Sequence, residues 1–369
     1  MATSTAIKLV NLPTDMAKTR KKARIFLAGV GAVGGTLIKQ LSRLQHPLYE
    51  FEIAGACNST RVLWQEEEDF NDFSPEDLPG GQPKSWEKII RQLKNRQDPE
   101  HPVIFVDATG SEEVARLYLD LLEAGIHVVT PSKLANTGDQ AYFDELQKTA
   151  SNNGVRYLYE TTVGAGLPVI KSIRELLESG DEIIEISGVV SGTMTYLFDQ
   201  LENGIAFSKA IVSARGLGYA EPDPRDDLSG EDVARKFLIL ARTCGLAIDR
   251  EEVEVESLIP DTLANVDSTT YLESVSEYDS HWTTRIQKEL ADNRTLRYVG
   301  SLVNGRIKVG IQSVEKKSPL GQLTGTNNLF QIKTGRYYDQ PLVIQGPGAG
   351  KEVTAAGVLS DIQKVINGQ

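Results

Sequence analysis

Asp232 and Lys236 stand four residues apart in Gly230–Cys244, where Val233, Phe237, Leu240 and Cys244 recur at helical spacing. A carboxylate and an ammonium at i and i+4 share one helix face, and here that face borders an apolar stripe. Most such pairs are solvated and stabilise a helix by roughly 0.3 kcal/mol. This one follows Glu221-Pro222-Asp223-Pro224-Arg225-Asp226-Asp227, a turn of four acids stiffened by two prolines. Carboxylates held so rigidly suit a substrate carrying an ammonium group. A lysine partly withdrawn from water beside them is a candidate for proton transfer. Ser229-Gly230-Glu231-Asp232 also has the spacing of a capping box, with Asp232 at N3.

Gly29-Val30-Gly31-Ala32-Val33-Gly34 follows an apolar strand and opens a helix, the context in which G-x-G-x-x-G binds a dinucleotide. Gly29 allows the tight turn, Gly31 lets backbone approach a pyrophosphate, and Gly34 lets helix pack on strand. A site for NAD carries an acid at the end of the second strand, about 20 residues on. Ala56-Cys57-Asn58-Ser59-Thr60-Arg61 has no acid there, and its hydroxyls and Arg61 suit the 2′-phosphate of NADP(H) over NAD(H). The plain alternative is a surface arginine. Thr130-Pro131-Ser132-Lys133 ends a buried strand, where ligands of open α/β sheets collect, so Lys133 is expected beside a bound nicotinamide. Glu160-Thr161-Thr162-Val163-Gly164-Ala165-Gly166-Leu167-Pro168 is either a hinge or a turn whose carbonyls, with the Glu160 carboxylate, hold a hard monovalent cation. Gly346-Pro347-Gly348-Ala349-Gly350-Lys351 is one residue short of a phosphate loop and has Glu352 where a Mg²⁺-binding hydroxyl belongs. A triphosphatase is therefore excluded, while the turn keeps N–H groups for a cofactor phosphate or amide.

The elements that must position these groups alternate. Candidate strands Arg24–Ala28, Phe51–Cys57, Val103–Ala108, His127–Thr130 and Val155–Glu160 are separated by candidate helices over 32–44, 85–97, 111–124 and 139–152. That is how a parallel sheet covered by helices reads. Glu66–Pro83, acidic and rich in Pro and Gly, reads as an exposed insertion. After residue 165 come longer helices, Val169–Ser179 and Gly230–Cys244, and strand runs Ile183–Val190 and Tyr298–Gln312. Pro341–Gln345, the glycine turn and a helix to Ile366 resemble the first pattern again. The expected organisation is an extension at 1–22, a nucleotide-binding domain over 23–165 and 341–369, and a second domain over 166–340 interrupting it.

The 369 residues hold 39 Lys and Arg against 51 Asp and Glu, a net charge of −12, with 40% hydrophobic and 24% charged residues. Such a chain forms a core and has no global field for nucleic acid or anionic lipid, so neither is expected as a partner. No apolar run reaches the about 18 residues of a membrane span. The basic run at 18–24 lacks the apolar segment of a secretory signal. Cys57 and Cys244, far apart in apolar runs, argue for a reducing, cytoplasmic setting. His46, His101, His127 and His281 lack zinc-ligand spacing.

Seven segments, in order, resemble the homoserine dehydrogenase family: GVGAVGG at 29–35, VDATGS at 106–111, TPSKLA at 130–135, ETTVGAGLP at 160–168, SGTMTYLF at 191–198, LGYAEPDPRDDLSGEDVARK at 217–236 and GPGAGKEVTAAGVL at 346–359. The likeness runs from Arg24 to the C-terminus, and the 217–236 segment is its most specific part. It implies an α/β fold, a Rossmann-type parallel-sheet domain plus an α+β substrate-binding and dimerisation domain. It also implies reversible NAD(P)H-dependent reduction of L-aspartate 4-semialdehyde to L-homoserine by a homodimer. By the same resemblance Lys236 is the proton donor and acceptor, Asp232 orients it or a bridging water, and Lys133 lies between nicotinamide and substrate. Glu221 and Asp227 bind the amino and hydroxyl ends of the substrate, with Gly192 and Thr193 lining the pocket. Glu160 and the carbonyls of Val163, Ala165 and Leu167 form a sodium or potassium site, and Thr109, Gly110 and Gly350 join the glycine turn at the cofactor. Ala108 stands where some members have Asn beside the nicotinamide, so that contact is absent or replaced. Some members add an N-terminal kinase or a C-terminal regulatory domain; 369 residues leave room for neither, so weak feedback by threonine is expected.

Two rival readings remain. An aspartate-semialdehyde dehydrogenase shares the cofactor fold but needs a cysteine nucleophile, for which neither Cys57 nor Cys244 is placed. A dinucleotide-binding sensor without catalysis has no use for Lys133, Asp232 and Lys236 together.

Overall fold

The computed structural model of the chain describes residues 21–44, 49–65, 75–98 and 101–368. They fall into two units. The first takes in the described residues up to Ser132, then Glu145–Tyr159 and those from Val358 onward; the second takes in Lys133–Asp144 and Glu160–Gly357.

In the first unit β1 (Lys21–Ala28), β2 (Tyr49–Cys57), β3 (Arg61–Trp64), β4 (Gln82–Pro83), β5 (Val103–Asp107), β6 (His127–Val129) and β7 (Tyr157–Leu158) form one sheet in the order β4-β3-β2-β1-β5-β6-β7. Strands β2, β1, β5, β6 and β7 run parallel, and β3 and β4 add antiparallel at one edge. Every residue of β5 is buried, as a parallel strand covered on both faces requires. Ala28 pairs with both Cys57 and Asp107, so three carboxyl ends line up. The strand order reverses between β1 and β5, the position at which open α/β sheets bind ligands.

The strand β3, next to the edge strand β4, is not among the expected strands. Asn58 Oδ1 accepts from Thr60 N (2.9 Å) and Arg61 N (2.8 Å), an Asx turn that sends the chain back antiparallel from the end of β2. Of the expected insertion, residues 66–74 lie outside the described residues, Pro75–Gly80 forms a short 3-10 helix, and Gln82–Pro83 is β4. The expected 1–22 extension and His46 lie outside the described residues, apart from Lys21 and Lys22, which open β1.

In the second unit β8 (Ile183–Val189), β9 (Glu254–Val255), β10 (Arg294–Val303), β11 (Arg306–Glu315), β12 (Asn327–Thr334) and β13 (Leu342–Pro347) form a mainly antiparallel sheet in the order β13-β12-β8-β10-β11-β9. The expected strand over 298–312 is a hairpin. Asn304 (φ 51°) and Gly305 (φ 72°) turn it between the paired residues Val303 and Arg306, the positive φ pair of a two-residue loop. The last strand also departs from expectation. It pairs with β12 from Asn327↔Pro347 to Ile332↔Leu342 and so belongs to this sheet, and the units divide at Gly357 rather than at 341. Its burial alternates along the strand, the pattern of an antiparallel edge rather than of a parallel strand covered on both faces.

The helix Glu231–Thr243 is buried along most of its length, from Val233 through Arg242 except Arg235. A helix apolar on every side belongs in a core, which makes Lys236 and Arg242 its exceptions. Each must be satisfied there by partners.

Candidate active site

Lys236 is 8% exposed. Its ammonium donates to Val190 O at 2.6 Å and lies 2.7 Å from Asp232 Oδ2. Asp232 Oδ1 is 3.3 Å from Lys133 Nζ, so one carboxylate bridges two lysines from different segments of the second unit. Burial pushes the Asp232 carboxyl up, but the ammonium groups of Lys236 and Lys133 outweigh it and hold it far below the usual carboxylate range. The expected capping box is absent. Gly230 is the N-cap, with φ +79°, and a Cβ there would lie 1.9 Å from Tyr298 Oη. Asp232 is thereby the second helical residue, and its carboxylate serves the lysines instead of the backbone. The Val190 carbonyl, missed in the sequence, also accepts from the buried Asn328 Nδ2 at 3.1 Å.

The acidic turn divides in two. Asp223 is taken by Arg225, whose Nε lies 3.0 Å and Nη2 2.6 Å from its carboxylate, so it is internal to the turn. Asp227 accepts from Thr193 Oγ1 (3.0 Å) and from Glu221 N (2.8 Å), and among the described residues it has no cationic partner. Burial pushes its carboxyl up, the charges of Glu221 and Asp232 add to the effect, and the two hydrogen bonds oppose it. The Glu221 side chain is exposed, and it is its backbone that touches Asp227. Gly192 opens the helix Gly192–Glu202 next to Thr193, and Ser191 Oγ caps it by accepting from Met194 N. The arrangement offers an unneutralised carboxylate to a cation, with a buried ammonium on the same unit.

In the first unit the glycine turn follows its expected physics. Gly29 has φ +91° and donates to Cys57 O at 2.9 Å. A Cβ on Gly34 would lie 2.0 Å from Gly29 O, whereas one on Gly31 would meet nothing within 4 Å. Gly31 caps the helix Ala32–Arg43 without a side-chain bond, so Val30, Gly31, Ala32 and Val33 leave N–H groups at a helix N-terminus for an anion. These features fit a dinucleotide. Thr109 is held by Asp107, which accepts from Thr109 N (2.7 Å) and Oγ1 (2.6 Å) and from the Tyr118 hydroxyl. Tyr118 Oη is 3.1 Å from Thr130 Oγ1, which accepts from Ser132 N at 2.9 Å. This fully buried acid stiffens both the 109–110 and 130–132 turns; its only sequence signal was a carboxylate ending an apolar run. Gly110 is exposed, with open space at its Cβ position. Arg61 is exposed at the start of β3, and the backbone N of Lys84 donates to Thr60 O, one residue before it, at 2.9 Å.

Glu160 is buried, and its two oxygens accept from Ile170 N and Lys171 N, each at 2.8 Å. It thus caps the helix Val169–Glu178 from a distance, a duty the sequence did not reveal. Gly164 (φ +79°) and Ala165 (φ +53°) turn the chain at the proposed cation ligands. Leu167 O is engaged by Val169 N at 2.9 Å, while Thr161 Oγ1 is a buried oxygen with no hydrogen-bond partner among the described residues. A donor set of carboxylate, carbonyls and this hydroxyl fits a hard cation. Gly350 has φ +123° just before the helix Lys351–Asn367. Cys57 and Cys244 are both free, and burial pushes each thiol up to about 12, which leaves neither as a ready nucleophile.

Two family models match the chain: homoserine dehydrogenase, NAD binding domain, over residues 29–160, and homoserine dehydrogenase over residues 168–363. The bifunctional aspartokinase/homoserine dehydrogenase of Haemophilus influenzae is 39% identical over 355 residues, covering 94% of this chain and 43% of its own length. A chloroplastic bifunctional aspartokinase/homoserine dehydrogenase of Zea mays is 38% identical, with 92% of this chain and 38% of its own covered. The chain thus spans less than half the length of these curated relatives. Among solved structures, a Candida auris protein of unknown function is 34% identical with a TM-score of 0.85, over 94% of this chain and 99% of that one. A hyperthermophilic archaeal homoserine dehydrogenase in complex with NADPH is 26% identical with a TM-score of 0.70, over 93% and 97%. With both halves matched by its models, the chain belongs to the homoserine dehydrogenase family of NAD(P)-dependent oxidoreductases.

Proposed function

We propose that the chain interconverts L-aspartate 4-semialdehyde and L-homoserine, with NADP(H) preferred over NAD(H). The observation that carries this reading is the buried Lys236 ammonium fixed by Asp232, which Lys133 shares. A bound nicotinamide would supply the hydride for the aldehyde carbon, or accept it in the reverse direction. An ammonium has three donors, and two of those on Lys236 are spent on Val190 O and Asp232. The third is left to protonate the aldehyde oxygen as charge develops on it, and the neutral amine takes the proton back in the oxidation. Lys133 adds a second positive charge to stabilise that oxygen. Glu221 and Asp227 receive the amino and hydroxyl ends of the substrate, and Gly192 and Thr193 line its pocket. The test is NADPH oxidation with aspartate semialdehyde. Lys236→Ala should lower kcat by about 10²–10⁴-fold; no turnover by the wild type rejects the activity, and an unimpaired variant removes Lys236 from the reaction.

Gly29, Val30, Gly31, Ala32, Val33, Gly34, Thr109, Gly110 and Gly350 would hold the dinucleotide, and Arg61 would meet the 2′-phosphate. The archaeal relative solved with NADPH supports the choice. Glu160, with the carbonyls of Val163, Ala165 and Leu167, would hold sodium or potassium; the cation supplies charge balance, and a higher melting temperature in either salt than in choline chloride tests it. Exposed Ile184, Val303, Tyr337, Tyr338 and Val343 on the second unit support a homodimer, which light scattering decides. Two free thiols support a reducing, cytoplasmic setting, and no helix among the described residues is long and apolar enough to cross a membrane.

A further inference from the structure

Lys133 reaches Asp232 from a segment, Lys133–Asp144, that packs within the second unit, and something must hold that segment in register with the helix Glu231–Thr243. The side chain of Arg242, on the same helix, is 0% exposed. A guanidinium has five N–H donors, and here all five are engaged. Nη1 donates to Asn136 O (2.9 Å) and Gly138 O (2.7 Å), Nε and Nη2 donate to Ile248 O (3.2 and 3.0 Å), and Nη2 also reaches Asp249 Oδ1 (3.4 Å). Asp249 Oδ1 accepts from Gln140 N at 3.2 Å, which ties the same segment a second time. The path to Lys133 is short: Asn136 N and Thr137 Oγ1 both donate to Lys133 O at 3.0 Å. One helix therefore grips this segment at two points, through Asp232 at the Lys133 ammonium and through Arg242 at the backbone three to five residues on.

We propose that Arg242 is a positioning residue for Lys133, anchoring the 136–138 backbone so that the Lys133 ammonium stays on the Asp232 carboxylate. The assignment rests on the reading that Lys133 serves the reaction. Lysine cannot replace the fork, because its three donors on a point charge cannot span the carbonyls of Asn136, Gly138 and Ile248 together. Arg242→Lys should then release Lys133 while keeping the charge on the helix.

Two readouts test this. In the protein without cofactor, acylation of Lys133 by a small activated ester, followed by mass spectrometry, should rise about threefold relative to exposed lysines in Arg242→Lys, since the amine has left its carboxylate. In turnover, Arg242→Lys should lower kcat/KM about tenfold in the wild-type background and cause no further loss on Lys133→Ala. Unchanged acylation together with additive losses overturns the proposal. If Lys133→Ala itself turns over like the wild type, the catalytic reading of Lys133 fails, while the acylation still decides whether Arg242 positions it. Should Arg242→Lys not fold, Asp249→Asn carries the same test, because the Asp249 side chain is 57% exposed. It should raise Lys133 acylation in the same direction, and no rise there counts against the proposal.

Discussion

Gly31→Ala and Gly34→Ala separate the two tasks of the glycine turn. Gly31 has extended backbone, φ −69° and ψ −152°, which alanine adopts, and its Cβ would meet no heavy atom within 4 Å. The folded chain should therefore tolerate the change within about 0.5 kcal/mol. Gly34 differs. Its Cβ would lie 2.0 Å from Gly29 O where ordinary contact begins at 3.4 Å, so the helix Ala32–Arg43 must move away from the turn by more than a carbon–oxygen contact can absorb. Overpacking of that kind costs about 1–3 kcal/mol, a fall of several degrees in melting temperature. Cofactor affinity orders the variants differently. The open space over Gly31 is where a pyrophosphate would need the backbone, so Gly31→Ala should weaken NADPH binding at least about tenfold, or 1.4 kcal/mol, while melting like the wild type. Fluorescence titration with NADPH and thermal melting on the same samples give both values. Wild-type affinity in Gly31→Ala would refute the phosphate assignment, and wild-type melting of Gly34→Ala would refute the packing argument.

Asp227→Asn removes a carboxylate that binds the substrate, worth about 1.5–3 kcal/mol for a charged hydrogen bond, so KM for aspartate semialdehyde should rise about tenfold to a hundredfold with kcat less affected. Because burial pushes the Asp227 carboxyl up, wild-type KM should climb on the acid side as pH falls through that raised value, and the variant should lose this limb; a KM that is flat with pH in the wild type contradicts the role. The sign for stability is opposite: ionising this carboxyl is harder in the folded chain than in the unfolded one, so at neutral pH it destabilises, and Asp227→Asn should not melt lower. Arg61→Ala should lower kcat/KM for NADPH about tenfold and leave NADH unchanged, and equal losses with both would show that Arg61 does not meet the 2′-phosphate.

What was legible in the sequence was local. The glycine turn, the Asp232–Lys236 spacing and the five parallel strands follow from neighbours a few residues apart, and each is present. The misreadings came where pairing is non-local or a turn is short. Val303, Ile307, Val309 and Ile311 keep one apolar alternation across Asn304-Gly305, so the hairpin reads as one strand although the dipeptide favours a reversal. Leu342–Pro347 reads as a strand before a glycine turn whichever sheet it joins, and only its partner β12 decides. The acceptors that hold the candidate site were hidden for a different reason: Val190 O, Asn136 O and Gly138 O are backbone groups, and residue type does not advertise a carbonyl.

The two buried cations of the helix Glu231–Thr243 show why residue chemistry and position have to agree. Arg242 meets four acceptors with its five donors, Ile248 O taking two of them, and stays protonated, which suits a group whose task is to hold. Lys236 meets two acceptors with three donors and carries an amine able to give up a proton, which suits a group whose task is to react. Exchanging them fails on both counts. An arginine at 236 would bring a planar fork to a space shaped for one ammonium beside Val190 O and Asp232, with no proton to release. A lysine at 242 would leave at least two of the carbonyls of Asn136, Gly138 and Ile248 without their donors in the interior, each costing about 1–3 kcal/mol. The helix thus separates a saturated cation from an unsaturated one six residues apart, and the donor left over on Lys236 is the feature from which chemistry can start.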